Sequence, residues 1–227
     1  LTVVTRYDVV SYQDNDHLDT ELFHIEALGS YETSRLNLNS SASFDEMKMN
    51  DGTNNVENDL VELNTIAGDL GAEYQVSPKF SFSAGVRYNE TEYQTYKDLL
   101  ADRETTSFPL NVYYELTPKL DLILGYTYST TDIEGSSSLS PTKFDTVNQV
   151  VTEITERVQT GYERDSHFYN VGLRGNIMTK LTGYFKIGYR TRSLEDSTIF
   201  STPFDVTVDP PTPETTGVTT IKRDDTG

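Results

Sequence analysis

Apolar and polar residues alternate along much of the chain with a period of two, which is the pattern of a β-strand with one apolar and one polar face. After Lys119, one phase of the alternation carries Leu120, Leu122, Leu124, Tyr126 and Tyr128. The other phase carries Asp121, Ile123, Gly125, Thr127 and Ser129. No apolar run approaches the ~18 residues of a transmembrane helix. The pattern therefore predicts an all-β, antiparallel chain.

Nine strands are predicted, at about residues 1–12, 20–32, 36–47, 61–76, 80–93, 105–117, 120–132, 163–177 and 181–194. Residues 219–225 are predicted to begin a tenth strand. Both ends of the sequence lie in strand-like stretches. We therefore expect residues 1–227 to form a single β-barrel domain that is cut at both ends, a fragment of a barrel with ten or more strands.

A short turn sequence recurs between these strands, as Ser77-Pro78-Lys79, Thr117-Pro118-Lys119 and, without proline, Thr179-Lys180, with a degenerate copy at Ser34-Arg35. Proline presets φ and cannot donate to a strand ladder, so these sites are predicted tight turns. The connections at the opposite rim are long and acidic, near residues 13–19, 48–60, 94–104, 132–162 and 195–216. Short turns on one rim and long loops on the other are typical of an up-and-down transmembrane barrel.

The apolar phase of each strand runs for about 9–11 residues, the length that a tilted strand needs to cross a bilayer. Tyrosines stand at the ends of these stripes, where an aromatic girdle would lie. A lysine or arginine that faces lipid at mid-membrane costs roughly 2–4 kcal/mol, so charged residues of the other phase are predicted to line a polar lumen. The predicted lumen-lining residues are Arg87, Asp121, Glu115, Arg174, Lys186, Arg190 and Arg192. A soluble β-sandwich binding module, with its apolar phase inward, is the alternative.

The charges of the polar phase fall into two groups. Basic residues cluster on the last hairpin, at Arg174, Lys186, Arg190 and Arg192, and acidic residues lie on earlier strands, at Asp69, Glu73, Glu115 and Asp121. Two interpretations stay open. The groups pair with one another and only keep the lumen polar, or they create a transverse field that orients a charged solute.

The residues for catalysis or cofactor binding are scarce. There is no cysteine, which excludes disulfides and thiolate chemistry, and there is no zinc or phosphate-loop spacing. Asp165, Ser166 and His167 are adjacent, whereas a catalytic triad converges from distant positions. We expect no enzyme, no cofactor and no metal. The net charge of −18 excludes nucleic acid as a partner, because the field is repulsive.

The hairpin at residues 164–190 resembles the β-barrel porins that are encoded near exopolysaccharide export genes. The shared pattern appears here as Leu173-Arg174-Gly175, then Thr179-Lys180-Leu181-Thr182-Gly183, then Gly188-Tyr189. The proline of the family pattern is missing from this turn but is present at Pro78 and Pro118. The resemblance implies a pore in the outer membrane of a Gram-negative bacterium, with polysaccharide as a candidate solute, and it transfers no functional residue.

The expected function is a porin-like channel that passes hydrated solute or polysaccharide. A second hypothesis is a barrel that acts as a sleeve for a partner protein, as in the barrels that sheathe multihaem cytochromes. Outer-membrane lipid is the expected surrounding, and the expected protein partner belongs to an export or electron-transfer assembly.

Overall fold

The computed structural model describes residues 1–11, 13, 19–49, 60–97, 99–145, 150–178, 181–205, 212–213 and 217–221. These residues form fourteen β-strands: β1 (Thr2–Val10), β2 (Thr20–Glu32), β3 (Leu36–Met49), β4 (Val61–Ser77), β5 (Phe80–Tyr93), β6 (Arg103–Thr117), β7 (Leu120–Ile133), β8 (Ser136–Asp145), β9 (Val150–Gln159), β10 (Tyr162–Met178), β11 (Leu181–Leu194), β12 (Ser197–Asp205), β13 (Thr212–Pro213) and β14 (Gly217–Ile221). Within this part of the chain, no helix is long and apolar enough to cross a membrane.

Nine strands form one antiparallel sheet, hereafter the wall, in the order β1-β2-β3-β4-β5-β6-β7-β10-β11. These are the nine strands predicted from the alternation, and their up-and-down order confirms the predicted fold class. The two edge strands, β1 and β11, each have one neighbour in the wall. From β1 to β11 the strand direction reverses eight times, which is an even number. The two edge strands therefore run in the same direction.

Two of the predicted tight turns have the same local geometry. At the β4–β5 turn, the backbone N–H of Lys79 donates to Ser77 Oγ at 3.4 Å, and at the β6–β7 turn that of Lys119 donates to Thr117 Oγ1 at 3.4 Å. Each turn follows a bulge in the preceding strand. At the β2–β3 turn, Leu36 N–H donates to Thr33 Oγ1 at 3.0 Å. The turn predicted at Thr179-Lys180 lies outside the described residues, as do most of the predicted loops at 13–19 and 48–60.

The predictions of long loops at 132–162 and 195–216 are wrong, because these segments contain β8, β9, β12, β13 and β14. These strands form a second sheet, hereafter the extension, in the order β13-β12-β9-β8 with β14 also paired to β12. The tenth strand predicted at 219–225 is a strand in its described part, residues 219–221 of β14, but it pairs with β12 in the extension and not with the wall. The alternation did not predict these strands, because β8 and β9 carry no sustained apolar phase.

The extension continues the hydrogen-bond ladder of the wall. Ile133 pairs with Tyr162 in the wall, and Ser136 pairs with Gln159 in the extension. The two pairs have the same register, and the two residues that lie between them on each strand are not paired with one another. The β10–β11 and β9–β12 ladders are related in the same way, through Arg164–Leu194 and Ile199–Gln159. The rim that was predicted to carry long loops is therefore extended by β-strands.

The apolar face of the wall is exposed, whereas its polar face contains the buried side chains. Leu70, Leu124 and Ile187 on the apolar face are 57%, 54% and 64% exposed, while Ile123 and Tyr113 on the other face are 1% and 9% exposed. A soluble sandwich would cover its apolar face with a second sheet. The soluble alternative is therefore wrong, and the arrangement is that of a wall that faces hydrocarbon.

Candidate functional site

All seven predicted lumen-lining residues lie on one face of the wall, hereafter the polar face. The cross-strand register places Glu115 opposite Asp121 and Asp121 opposite Arg174, and it places Arg87 opposite Asp69. Lys186 stands opposite Gly172, and Arg190 and Arg192 follow on the same phase of β11. Strand alternation alone therefore determined which side these seven residues share.

Arg174 on β10 holds two carboxylates at once. Its guanidinium donates to both oxygens of Glu73, at 2.9 and 3.0 Å, and to Asp121 Oδ2, at 3.1 and 3.2 Å. Its Cζ lies 3.8 Å from the centre of the Tyr113 ring. Paired guanidinium bonds to one carboxylate are directional and strong, so this cluster fixes the relative position of β10, β7 and β4.

The Arg174–Glu73 contact shows that the wall is curved, with the polar face on the concave side. Four strand intervals separate β4 from β10 in the sheet. At about 4.8 Å per interval, a flat sheet would place these strands about 19 Å apart, which is longer than an arginine and a glutamate side chain together. The two side chains nevertheless meet at 2.9 Å. The wall must therefore curl around its polar side chains.

A second cluster lies beside the first on β3, β4 and β5. Arg87 Nε donates to Asp69 Oδ2 at 2.7 Å, and Asn39 Nδ2 donates to Asp69 Oδ1 at 3.0 Å. Of the predicted residues, the structure thus brings Arg174 together with Asp121, and it pairs Arg87 with Asp69. Glu115 lines a cavity of about 450 Å³ with Arg174 and Asp121 but forms no ion pair with a described residue.

Two asparagines close over Gly125 at the middle of the polar face. A Cβ built on Gly125 would lie 2.6 Å from the amide atoms of Asn170 and 2.7 Å from Asn111 Oδ1, so the absence of a side chain gives both amides their place. Asn111 Nδ2 donates to Ser83 Oγ at 3.1 Å. Asn170 is 9% exposed, and its Oδ1 has no hydrogen-bond partner among the described residues. Both asparagines lie in the polar phase of their strands, which was the available sequence signal. They were not predicted because only charged residues of that phase were selected.

The two sides of the polar face differ in charge. On β1–β4 the face holds six carboxylates and one arginine, namely Asp8, Glu26, Glu32, Asp45, Asp69, Glu73 and Arg6, and Arg6 pairs with Asp8 at 2.7 Å. On β10 and β11, among residues whose side chains are described, it holds five cations and no carboxylate, namely Arg164, Arg174, Lys186, Arg190 and Arg192. The distribution agrees with the transverse arrangement of charge suggested by the sequence.

The segment between β5 and β6, predicted as a solvated loop, packs against the polar side of β4 instead. Leu100 is 6% exposed and Val61 is fully buried, and Tyr93 and Tyr96 pack against them. Tyr93 N–H donates to Asp102 Oδ1 at 2.7 Å, which ties the two ends of the segment together. The Leu99-Leu100 pair in an otherwise polar stretch was the available signal.

The two described histidines, His24 and His167, make separate contacts. His24 hydrogen-bonds to Asp45, whereas His167 Nδ1 lies 2.8 Å from the hydroxyl of Tyr126, and the Tyr128 hydroxyl donates to Asp165 at 2.6 Å. His167 and Asp165 therefore each contact a tyrosine rather than one another. In the described ranges, no group of three or more histidine or acidic side chains could hold a metal ion. His17 lies outside these ranges.

Two rows of side chains on the outward face of the wall indicate the position of the membrane boundary. Phe108, Tyr128 and His167 form one row across β6, β7 and β10. Four residues nearer the extension, a row of acidic residues crosses β5, β6, β7 and β10, at Glu90, Glu104, Asp132 and Glu163. Like charges directly opposite one another are destabilising, and water of high dielectric reduces this cost. The membrane boundary is therefore expected between the two rows.

Comparison with known proteins agrees with this geometry. None of the curated proteins matches the chain. A family profile described as "Putative beta-barrel porin 2" matches residues 1–202, a range that contains all nine strands of the wall. The resemblance to β-barrel porins is thereby confirmed, and so is the outer-membrane barrel class. The chain belongs to the "Putative beta-barrel porin 2" family.

Proposed function

We propose that this protein is a non-enzymatic channel of the Gram-negative outer membrane that passes hydrated solutes, polysaccharide among them, through the space enclosed by its polar face. The observation that carries the proposal is the contact between Arg174 and Glu73 across the concave side of the wall. Charges on the inner side and exposed leucines on the outer side make a wall that holds water and borders lipid.

The polar face suits a hydrated solute because it offers hydrogen-bond groups of both kinds. Ser83 and Asn111 are hydrogen-bonded to one another but keep further donor and acceptor capacity, and Asn170 Oδ1 is an unused acceptor in this part of the chain. Sugar hydroxyls both donate and accept. Polysaccharide enters the proposal through the resemblance to porins encoded beside export genes, and these groups are compatible with it.

Conductance measurements test the proposal directly. The purified protein, reconstituted in a planar bilayer, is expected to show discrete current steps in potassium chloride. Arg174→Ser removes the side chain that crosses the polar face and should raise the single-channel conductance. Lys48→Ser is the matched control, because it removes the same charge from a lysine that pairs with Glu62 at 2.7 Å on the outward phase of β3. Equal conductance in both variants contradicts the placement of Arg174 in the conducting path, and the absence of current steps in assembled protein contradicts the channel.

The second candidate is a barrel that scaffolds a partner protein of an export or electron-transfer assembly. A scaffold of this kind conducts poorly when its partner fills it and purifies with that partner. Release of a stoichiometric protein, followed by a rise in conductance, is the result that would favour the scaffold over the channel.

A further inference from the structure

We infer that the polar face selects anionic solutes that bear carboxylate or phosphate groups, and that Lys186, Arg190 and Arg192 on β11 form the selecting stripe. The inference rests on the proposed channel function and adds the class of solute. It follows from which charges of the polar face are paired within the protein and which are left to solvent.

The carboxylates in the central part of the polar face are matched by cations of the protein. Asp69 pairs with Arg87 at 2.7 Å, and Glu73 and Asp121 both pair with Arg174, at 2.9 and 3.1 Å. Of the other acidic side chains on this face, Asp8 pairs with Arg6 at 2.7 Å and Asp45 hydrogen-bonds to His24. Glu32 and Glu115 stand near the rim of the short turns, and Glu26, at the middle of β2, forms no ion pair with a described residue. An anion beside the strands from β4 to β10 therefore meets little uncompensated negative charge.

The three cations of β11 have no such match. None of them forms an ion pair with a carboxylate in the described part of the chain, and all three side chains are exposed. Arg190 lies over the Phe168 ring, with its Cζ 5.1 Å from the ring centre, and Lys186 Nζ lies 5.9 Å from the centre of the Tyr184 ring. Aromatic contacts orient these cations without neutralising them.

The spacing of the three cations makes them a pair and a single charge on one stripe. Along a strand, Arg190 and Arg192 are about 7 Å apart and Lys186 and Arg190 about 13 Å apart. The Debye length at physiological ionic strength is about 8 Å, so the fields of Arg190 and Arg192 overlap, whereas Lys186 acts as a separate step. Gly188 stands between Lys186 and Arg190, and the Phe168 ring lies over it, since a Cβ on Gly188 would be 2.6 Å from that ring. An anion can pass from one cation to the next, as conduction through several weak sites requires.

The acidic surface of the protein does not oppose this preference. The row Glu90, Glu104, Asp132 and Glu163 lies on the outward phase of its strands, on the other side of the wall from the stripe. Screening over a few Debye lengths removes most of the effect of distant exposed charges. The local charge of the conducting surface, rather than the net charge of −18, therefore decides the selectivity.

The test measures reversal potentials across a potassium chloride gradient for the full protein in a planar bilayer. The wild type should be more permeable to chloride than to potassium, and Lys186→Gln/Arg190→Gln/Arg192→Gln should lower the permeability ratio by at least about twofold. Glu115→Gln should raise the ratio, and Lys48→Gln, on the outward phase, should leave it unchanged. Each single substitution is measured as well, so that misassembly of the triple variant does not decide the result.

Added solutes then identify the preferred anion. Trigalacturonate, a carboxylate probe, and inorganic tripolyphosphate, a phosphate probe, should block the current, and neutral maltotriose should block it less. Loss of block in Arg190→Gln by either probe supports the stripe and says which group it prefers. A wild-type channel that conducts but prefers potassium, or a ratio that the triple variant does not change, overturns the inference and leaves the channel intact. Absence of conductance overturns both.

Discussion

The wall and the extension share one hydrogen-bond ladder but differ in the solvent that their faces meet. Leu124 in the wall is 54% exposed and Leu139 in the extension is 64% exposed, so the two leucines look alike by accessibility. Leu124 belongs to an apolar stripe that continues on the neighbouring strands, at Val112 and Val171, whereas Leu139 stands opposite Glu156. Backbone pairing thus continues across the rim, and the membrane boundary can be located only from the side chains.

The boundary between the two regions coincides with a change in residue type along single strands. On β7 the outward phase runs from Leu120 to Tyr128, eight steps of about 3.4 Å or about 27 Å along the strand. It then continues through Thr130 to Asp132, at the acidic row. Strands of a transmembrane barrel are tilted by about 35–45°, so this length spans about 19–22 Å of height and nearly fills an apolar band about 25 Å tall before the first carboxylate of β7 appears. The extension therefore begins outside the hydrocarbon.

The largest expected effect comes from placing a charge on each of the two matched leucines. Leu124→Arg should lower the free energy of unfolding by roughly 2–4 kcal/mol, because the guanidinium faces lipid near mid-membrane. Leu139→Arg should change it by less than about 0.5 kcal/mol, because the site is in water beside Glu156. Urea unfolding in phospholipid vesicles measures both. Thr127→Arg, on the polar face, is the control within the wall and should assemble. Equal losses in all three variants would refute the assigned facing.

A smaller effect is expected where two strands of the wall approach closely. A Cβ on Gly172 would lie 2.1 Å from the carbonyl oxygen of Phe185, whereas a Cβ on Gly183 would meet nothing within 4 Å. Backbone atoms cannot move aside as a side chain can, so Gly172→Ala should cost about 1–3 kcal/mol. Gly183→Ala in the same hairpin should cost far less. The two urea midpoints in vesicles provide the measurement, and indistinguishable midpoints contradict the close packing of β10 and β11.

A comparable or smaller loss is expected for the ion cluster that curves the wall. Arg174→Met should lower the free energy of unfolding by about 1–2 kcal/mol, since two carboxylates lose their partner while they keep contact with water. Adding Glu73→Gln and Asp121→Asn to this variant should restore part of the loss, because the uncompensated charges disappear. The midpoint of urea unfolding is the readout. A triple variant no more stable than Arg174→Met shows that charge compensation is not what the cluster provides.

Single cysteines separate the two regions with almost no effect on stability. The chain has no cysteine, so each introduced thiol is unique. The short turns of outer-membrane barrels are periplasmic, so the extension, at the opposite rim, is expected outside the cell. In intact cells, a membrane-impermeant maleimide should label Leu139→Cys in the extension and leave Leu124→Cys unlabelled in the lipid. Labelling of both after the membrane is dissolved in detergent and the protein is unfolded in urea confirms that each thiol is reactive. Labelling of Leu124→Cys in intact cells contradicts the assigned membrane span.

The strands of the wall could be predicted because each of them shows the alternation of apolar and polar residues within its own sequence. Along β7, Leu124 and Tyr126 alternate with Gly125 and Thr127, and a side-chain period of two identifies a strand wherever its two faces meet different solvents. The strands of the extension escaped prediction for the same reason. β8 begins with three serines, and β9 has Ile154 and Glu156 on the same phase, so neither strand has a sustained apolar phase.

The sequence by itself determined the number and direction of the wall strands, the turns at Pro78 and Pro118, and which residues share the polar face, because these properties depend on neighbours along the chain. Only the tertiary structure decided that Glu73 and Arg174 meet, 101 positions apart, and that the segment before Asp102 folds onto β4. Such contacts depend on the curvature of the sheet. Curvature is a sum of many small twists and packing contacts, and no single stretch of sequence specifies it.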